Sequence, residues 1–334
     1  MLSAARVAAA ATAAAATAAW LLTPPTVPPL ADVLESSVVD EEQETLGGVA
    51  VRHRAVTLTN GARLHFVEAP AGVTDRPVVL LLHGFPDAHL SWLPQLPALT
   101  GAGYRCICPD LRGYGRSFSP SAVSQYSASA LVADCCALLD VLQCASAVVV
   151  GHDWGGAVAY ALATLAPNRV SRLVVLNCPH PRVFHRTLRS SSEQRRRSWY
   201  MLVFQCPLLP ELLLSAGDHT ALRRGLATEP VVPTESSLVE RYVMLYRRSG
   251  WRGPLNYYRS VRGGGWRLPR KVIQCPVLVL WGTGDRHLMA SMADPGEAAP
   301  KARVVLLPLS KHWCHWDQAA EVNAHLLSFL RDIQ

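Results

Sequence analysis

The chain has 334 residues, half of them hydrophobic, and carries a net charge of +7 at neutral pH. This length and composition indicate a globular protein with a sizeable apolar core and exclude an intrinsically disordered chain. The basic surplus lies in residues 180–270, which contain 16 arginines and six acidic residues. No arginine-rich tract alternates with aromatic residues, so we expect no nucleic-acid partner; a solvated surface, a face for anionic ligands and a membrane-facing surface stay open.

The first 30 residues contain an uncharged, alanine-rich stretch at 7–22, followed by a proline-rich one. This stretch is shorter than the roughly 20 residues that span a bilayer, and alanine inserts weakly. A signal anchor, a cleaved signal peptide and an organellar transit peptide all fit the pattern, and we favour an anchor at the endoplasmic reticulum membrane. The acidic residues 31–48 predict a solvated linker, with the folded core beginning at residue 49.

From residue 49 onward, predicted strands alternate with predicted helices. Residues 51–58 and 64–67 predict a hairpin that turns at Asn60 and Gly61, because this pair tolerates positive φ. Apolar runs that predict strands buried on both faces follow at 78–82, 104–108, 147–150, 173–176, 277–280 and 304–307. Helical patterns cover 128–142, 155–165 and 318–330. The alternation predicts an α/β fold, with a mostly parallel central sheet and helices on both faces.

Residues 180–270 interrupt this alternation. They are rich in arginine, aromatic residues and proline, with helical patterns at 199–204 and 238–247. We expect them to form an inserted helical cap above the carboxyl ends of the parallel strands, where α/β sheets place their active sites. The core then comprises residues 49–179 and 271–334.

The sequence GHDWGG at 151–156 joins a predicted strand to a predicted helix. A strand, a glycine-rich turn and a helix are typical of a nucleophile elbow, whose strained central residue needs neighbours without a Cβ atom. Asp153 occupies the central position, where many hydrolases have serine. A glycine-rich turn with a capping aspartate is the simpler interpretation of these six residues alone.

Two further ionisable residues follow predicted strands, Asp285 in WGTGD and His312 in SKHW. The order Asp153, Asp285, His312 is the nucleophile, acid, histidine order of hydrolase triads. The sequence HGFPD also follows a strand, where such folds place a loop that donates an oxyanion N–H. The backbone N–H groups of Phe85 and Trp154 are therefore the expected oxyanion donors.

An aspartate nucleophile narrows the reaction class. A carboxylate is ionised at neutral pH and can displace a leaving group from an sp³ carbon without a base. The resulting ester can be hydrolysed by water that His312 activates and Asp285 orients, which points to epoxides or alkyl halides as substrates. An epoxide oxygen needs a proton donor when it leaves, and the cap segment offers the phenols of Tyr200, Tyr257 and Tyr258.

Together these motifs resemble the epoxide hydrolases of the α/β-hydrolase superfamily, in particular the short animal type with an N-terminal membrane segment. The resemblance covers roughly residues 50–332 and rests on HGFPD, DLRGYGRS, GHDWGG, WYMLVFQCPLLPE, GPLNYYR, WGTGD and HW followed by DQ. It implies hydrolysis of epoxides to vicinal diols through an ester on Asp153, with His312 as the water-activating base and Asp285 as its partner. It also implies that Tyr200 and Tyr258 hold and protonate the epoxide oxygen, without a metal or cofactor.

The resemblance further implies substrate contacts from His83, Pro86, Trp154 and Tyr257. In the family, the functional phenol precedes an arginine, which favours Tyr258 over Tyr257 as the donor. The chain departs from the family pattern around the acid and the histidine, and residues 289–302 also look shorter and more polar than the family pattern. WGTGD lacks the usual Glu-Lys pair before the acid, and Lys311 stands where the family has a small neutral residue.

Other functions stay open. A haloalkane dehalogenase shares an elbow of Asp followed by Trp, although Phe85 offers no side-chain N–H to a halide. A dehalogenase of the fluoroacetate type is also disfavoured, because that type has Arg at the position of Trp154. A non-catalytic ligand-binding protein is the third alternative. For an epoxide hydrolase, the basic cap favours lipophilic epoxides with an anionic end, such as fatty-acid epoxides. The nine cysteines, mostly in apolar runs and without zinc-like spacing, favour a reducing compartment.

Overall fold

The structure, a computed structural model, describes residues 37–58, 62–228 and 236–331. The strands are β1 (Ser37–Leu46), β2 (Val49–Thr57), β3 (Arg63–Ala69), β4 (Val78–Leu82), β5 (Arg105–Pro109), β6 (Ala147–His152), β7 (Val170–Leu176), β8 (Val277–Gly282) and β9 (Arg303–Leu307). The helices are α1 (Leu96–Gly101), α2 (Ala128–Val141), α3 (Trp154–Leu165), α4 (Pro181–Ser190), α5 (Ser192–Arg197), α6 (Tyr200–Val203), α7 (Leu209–Thr228), α8 (Ser236–Ser249), α9 (Arg252–Arg262), α10 (Cys314–Asp317) and α11 (Ala319–Leu330).

All nine strands form one sheet, in the order β1-β2-β3-β5-β4-β6-β7-β8-β9. The strands β5, β4, β6, β7, β8 and β9 pair in parallel, whereas β1, β2, β3 and β5 pair antiparallel. Every residue of β4, β6 and β8 is buried, because helices cover both faces of this part of the sheet. The predicted α/β fold with a mostly parallel sheet is confirmed.

The predicted core elements agree closely with the observed ones. The apolar run 78–82 coincides with β4, and the helical patterns at 128–142, 155–165 and 318–330 correspond to α2, α3 and α11. The predicted hairpin is formed by β2 and β3, whereas its Asn-Gly turn lies outside the described residues. Helix α3 is buried along nearly its whole length, packed on β6, β7 and α2.

The prediction that residues 31–48 form a solvated linker is wrong for residues 37–46. These residues form β1, which pairs antiparallel with β2 along its length. The acidic side chains find their basic partners on the neighbouring strand: Asp40 pairs with Arg52 and Arg54, and Glu44 pairs with His53. The folded core therefore begins before residue 49. The alanine-rich stretch at 7–22 lies outside the described residues.

Helices α4 to α9 lie between β7 and β8 and cover the edge of the sheet where the parallel strands end. The predicted helical patterns at 199–204 and 238–247 correspond to α6 and α8. The cap is fastened to the core by buried hydroxyl groups, since Tyr242 and Tyr246 donate to the carboxylate and the carbonyl oxygen of Asp87. Within the described ranges, none of the helices combines the length and the apolar character needed to cross a bilayer.

Candidate active site

Asp153 lies in the turn between β6 and α3, with φ of 49° and ψ of −121°. Two positions before and after it, only glycine fits: a Cβ on Gly155 would lie 2.0 Å from the carbonyl oxygen of Leu82, and one on Gly151 would lie 2.3 Å from that of Gly155. The turn therefore holds the central residue in a backbone conformation that L-residues rarely adopt. This geometry is that of a nucleophile elbow, and it directs the Asp153 carboxylate out of the end of the sheet.

The other two predicted triad residues meet Asp153 at this edge. His312 Nε2 lies 3.4 Å from Asp153 Oδ2, and His312 Nδ1 lies 2.7 Å from Asp285 Oδ2. Asp285 follows β8 and His312 follows β9, so the sheet topology brings together residues that are far apart in the chain. The carboxylate of Asp285 is fixed further by N–H groups of His287 and Leu288, at 2.7 and 3.0 Å.

The triad is strongly polarised. Burial works to raise the pKa of Asp285, but the charge of His312 and the hydrogen bonds that Asp285 accepts outweigh it and lower this pKa to about 2. For His312, burial works in the opposite direction, and the two carboxylates raise its pKa to about 10. Burial likewise opposes ionisation of Asp153, yet the hydrogen bond and charge of His312 leave its pKa below the ordinary value. In the resting site, a cationic imidazolium thus lies between two carboxylates.

The loop after β4 supplies the predicted oxyanion donor. The backbone N–H of Phe85 donates to Asp153 Oδ1 at 2.9 Å, and the backbone of Trp154 also lowers the pKa of Asp153 by hydrogen bonding. The prediction that His83 contacts substrate is not supported, because its ring is fully buried beneath this loop. His83 Nδ1 bonds to the carbonyl oxygen of Gly84, and its Nε2 accepts from the N–H of Leu111. His83 therefore positions the oxyanion loop.

Two of the cap tyrosines face the nucleophile. The rings of Tyr200 and Tyr258 lie 6.0 Å apart, and Tyr258 contacts Phe85 and Trp154 at 5.3 and 5.0 Å. Burial raises the pKa of both phenols above the ordinary value of 10, and the charge of Asp153 raises it further, so both remain proton donors at neutral pH. Tyr257, predicted to contact substrate, instead donates to the buried carbonyl oxygen of Arg112 and turns away from the site.

Two cavities meet at the nucleophile, and both are lined by Asp153, Tyr200 and Tyr258. The first, called here the apolar cavity, is partly open to solvent and is lined mainly by apolar side chains, among them Phe184, Met201, Val261, Trp266 and Leu288. The second, called here the basic cavity, is also partly open to solvent and is lined in part by Pro86, Trp199, Arg196, Arg197 and Arg286. The predicted contact residues Pro86 and Trp154 therefore line the site, in the basic and the apolar cavity respectively.

Sequence reasoning missed several residues that hold the acid of the triad. Asn177, at the end of β7, donates to Asp285 Oδ2 at 2.8 Å, and Arg197 donates to the carbonyl oxygen of Asp285 at 2.8 Å. Gln194 of α5 bonds to the backbone of His287 and Met289. The cap thus packs the acid loop despite its departure from the family pattern. The position of Asn177 directly after a buried strand could have indicated its role from the sequence. No comparable sequence feature marks Gln194 or Arg197.

Buried histidines and acids also cluster away from the nucleophile. Among the described residues, His65, His89 and Asp110 approach within metal-ligand distances. Both imidazoles already bond to the Asp110 carboxylate, at 2.9 and 2.7 Å, and the backbone N–H of Arg116 donates to it as well. This arrangement joins β3 to the loop after β5, which indicates a structural role for the DLRGYGRS segment.

Comparisons with known proteins place these features in a family context. The family model described as alpha/beta hydrolase fold matches residues 77–319. Epoxide hydrolase 3 of Xenopus tropicalis is 36% identical over 282 residues, covering 82% of this chain and 76% of the relative. Epoxide hydrolase A of Mycobacterium tuberculosis is 34% identical over 313 residues, covering 83% of this chain and 96% of the relative. A solved epoxide hydrolase variant from Bacillus megaterium, in complex with its diol product, is similar at a TM-score of 0.74 and 27% identity, covering 81% and 98% of the two chains.

Proposed function

The chain belongs to the α/β-hydrolase family and, within it, to the epoxide hydrolases, and we propose that it converts epoxides to vicinal diols through a covalent ester on Asp153. The observation that carries this route is the placement of the Asp153 carboxylate. One oxygen accepts the N–H of Phe85 at 2.9 Å, and the other lies 3.4 Å from His312 at the junction of the two cavities. The first oxygen occupies the oxyanion site, which leaves Oδ2 to attack.

In the first step, Oδ2 of Asp153 forms a bond to one epoxide carbon while that carbon's bond to the epoxide oxygen breaks. The oxygen takes a proton from Tyr200 or Tyr258 and becomes a hydroxyl group. Both phenols keep their protons until this moment because burial raises their pKa. Hydrogen bonds that strengthen as negative charge develops stabilise the transition state more than the bound substrate.

In the second step, water attacks the carbonyl carbon (Cγ) of the Asp153 ester. Alkylation removes the negative charge of Asp153, which is one of the groups that raise the pKa of His312. We therefore expect the pKa of His312 to fall, so that its proton can pass through water to the tyrosinate and its free Nε2 can accept a proton from the attacking water. The N–H groups of Phe85 and Trp154 hold the oxyanion on Oδ1. As the intermediate collapses, the departing Oδ2 takes the proton that His312 accepted from water, and the diol leaves with Oδ2 as one of its hydroxyl oxygens.

A trapping experiment tests the covalent route. His312→Gln should still be alkylated by an epoxide such as styrene oxide but should hydrolyse the ester slowly, so intact-protein mass spectrometry should detect a gain of one substrate mass. Asp153→Ala serves as the control and should gain none.

In single turnover of the native protein in ¹⁸O-water, the first diol should contain unlabelled oxygen from Asp153. Label in that diol at solvent enrichment would overturn the route, and faster chloride release from 1-haloalkanes than epoxide opening would favour a dehalogenase.

We propose further that the substrates are lipophilic epoxides with an anionic end, such as fatty-acid epoxides. Apolar side chains line the apolar cavity, which suits the hydrocarbon part of a substrate. Its lining residues His185, Val261 and Trp266 also line an open groove with six arginines, called here the arginine groove: Arg182, Arg186, Arg189, Arg262, Arg267 and Arg270. A carboxylate there would meet positive charge while the chain lies in the apolar cavity.

Comparison of an epoxy fatty acid with its methyl ester tests this substrate class. Arg186→Ala/Arg267→Ala should raise KM for the acid about tenfold, because two cations near the carboxylate are lost. The ester should be turned over as before. Arg248→Ala/Arg252→Ala, which removes two exposed cap arginines outside the groove, is the matched control. Equal KM values for acid and ester in the native protein would exclude recognition of an anionic end of the substrate. Absence of turnover with every epoxide would instead contradict the proposed epoxide hydrolysis itself.

The location of the chain is a separate proposal, supported by the alanine-rich stretch at 7–22 and by cysteine usage. We propose that residues 1–30 attach the protein to the endoplasmic reticulum membrane, with the catalytic domain in a reducing compartment. All nine cysteines have free thiols in the structure, and burial raises the pKa of several, such as Cys108 and Cys135. Fractionation of a tagged chain with and without residues 1–30 tests this, with an alkaline wash of the membranes to release protein bound only at their surface: release of both chains by the wash would contradict it.

A further inference from the structure

The cap carries a run of exposed apolar side chains that lie close together in the sequence, called here the cap patch. Its side chains are between 49% and 76% exposed and comprise Trp199, Leu202, Leu208, Leu209, Leu212 and Leu213. They all fall in the short segment 199–213, at α6 and the start of α7. Exposed apolar residues on a solvated surface usually occur singly, so a cluster of this kind indicates a surface that is covered in the working protein.

The backbone beneath the cap patch is firmly held. The guanidinium of Arg259 donates to the carbonyl oxygens of Phe204 and Cys206, at 2.9 and 2.8 Å, and to the carboxylate of Glu211 at 2.7 Å. These bonds join the end of α6 to the start of α7. The leucines on this segment therefore project from an ordered scaffold.

The charges that flank the cap patch in the sequence are basic, or acidic and paired with an arginine. Residues 198–210 contain no charged side chain, and the exposed Arg195 and Arg196 precede them. The nearest acids on either side, Glu193 and Glu211, are paired with Arg197 and Arg259. An apolar face containing tryptophan and leucine, with a basic margin, matches the boundary between acyl chains and anionic headgroups.

We propose that the cap patch docks on the surface of an anionic phospholipid bilayer. The leucines and Trp199 enter the headgroup and acyl boundary, while Arg195 and Arg196 contact lipid phosphates. Trp199 and Arg196 also line the basic cavity, so docking brings the mouth of that cavity against the bilayer. A lipid-dissolved molecule then reaches the junction at Asp153 without crossing bulk water. This docking surface is distinct from residues 1–30 and does not depend on the identity of the substrate.

A local probe tests docking in the full chain. Cys206 is the one exposed cysteine of the nine and lies within the patch segment. A polarity-sensitive fluorophore is attached to Cys206 in a chain whose half-buried Cys136, Cys144 and Cys275 are replaced by serine. Vesicles of phosphatidylcholine with phosphatidylserine should shift its emission to the blue, and lipids brominated along the acyl chain should quench it. Vesicle-bound protein with unshifted, unquenched emission is attached only through other segments, and this outcome overturns the proposal.

Substitutions with glutamate distinguish lipid binding by the cap patch from the effect of added negative charge elsewhere on the surface. Leu212→Glu/Leu213→Glu should raise the lipid concentration for half-maximal shift at least tenfold. The control Val272→Glu/Leu306→Glu places two acids on residues that are each 50% exposed outside the patch, and should leave it unchanged. Arg195→Glu/Arg196→Glu should remove the dependence on phosphatidylserine.

Circular dichroism and the thermal midpoint of each variant confirm the native fold before the comparison. Equal effects of the patch and control variants contradict the proposal. A blue shift without lipid that depends on protein concentration, together with a dimer in ultracentrifugation that Leu212→Glu/Leu213→Glu dissociates, shows that a second copy covers the patch and also overturns it.

Discussion

Neighbouring tyrosines on one helix perform different tasks at the residue scale. Successive helical residues point about 100° apart, so Tyr257 and Tyr258 of α9 cannot face the same surroundings. The hydroxyl of Tyr257 donates to the buried carbonyl oxygen of Arg112, whereas the ring of Tyr258 lies beside Trp154 and the Asp153 junction. Of the two, only Tyr258 lines the cavities together with Tyr200, which supports Tyr258 as the proposed donor to the leaving oxygen.

Tyrosine-to-phenylalanine variants separate these roles. Tyr258→Phe and Tyr200→Phe should each lower the rate of enzyme alkylation by an epoxide about 10- to 100-fold, because one donor to the developing oxyanion is lost. Tyr257→Phe should leave this rate near that of the native protein and lower the free energy of unfolding by about 1 kcal/mol, through the lost bond to Arg112. Single-turnover kinetics and urea denaturation measure the two effects. A slow Tyr257→Phe with an unaffected Tyr258→Phe would reverse the assignment.

The position of the nucleophile is set at the element scale, by close packing of β4, β6 and α3. The backbone of Gly155 approaches the carbonyl oxygen of Leu82, and Gly84 approaches the side chain of Asp153. The same contact brings the N–H of Phe85 to Asp153 Oδ1. Nucleophile and oxyanion donor are therefore coupled through glycine contacts between elements.

Two glycine-to-alanine variants test this coupling. In Gly155→Ala, the new Cβ would lie 2.0 Å from backbone, so β4 and α3 must separate. We expect a loss of about 3 kcal/mol in the free energy of unfolding and about 100-fold in kcat/KM for an epoxide. Gly225→Ala in α7 meets no atom within 4 Å and should instead stabilise the protein by about 0.5–1 kcal/mol with unchanged activity. Native-like activity of Gly155→Ala would show that the elements adjust freely.

The same scale explains which features could be predicted from the sequence. Strands such as β4 were predictable because strands buried on both faces are continuously apolar. Strand β1 was not, because the bases that pair with Asp40 and Glu44 lie on β2 and in the cap, including Arg241. The triad was predictable from strand ends and chain order. The bond of Asn177 to Asp285 depends on the spatial adjacency of β7 and β8, which local sequence does not specify.

At the scale of the whole molecule, the charged side chains of the triad also contribute to the stability of the folded state. It joins β6, β8 and the loop after β9, so ionisation of its members affects the folded state as a unit. His312 and Asp285 are each only 3% exposed, and the bond between them is 2.7 Å long. A buried pair of this kind contributes to the folded state only while both partners are charged.

The pH dependence of unfolding follows from the two pKa shifts. The folded pKa of Asp285, about 2, is below its ordinary value of 3.8, so its contribution is complete above pH 3.8 and is lost as the pH falls toward 2. The folded pKa of His312, about 10, is above its ordinary value of 6.5, so its contribution is complete below pH 6.5 and is lost as the pH rises toward 10. The pair should therefore stabilise the protein most between about pH 4 and 6.5.

Asp285→Asn should accordingly lower the free energy of unfolding by on the order of 2–4 kcal/mol at pH 6 and by much less at pH 10, where about half of the His312 side chains in the native protein have lost their proton and most of the contribution of the pair is gone. Asp134→Asn provides the matched control, because the partner of Asp134 is the buried Arg112, whose charge persists through this range. Its cost should be nearly constant between pH 6 and 10. Urea denaturation of the three proteins at a series of pH values measures these differences. If the cost of Asp285→Asn also stays constant up to pH 10, then His312 is not cationic in the resting site, and it does not need alkylation of Asp153 to become a base.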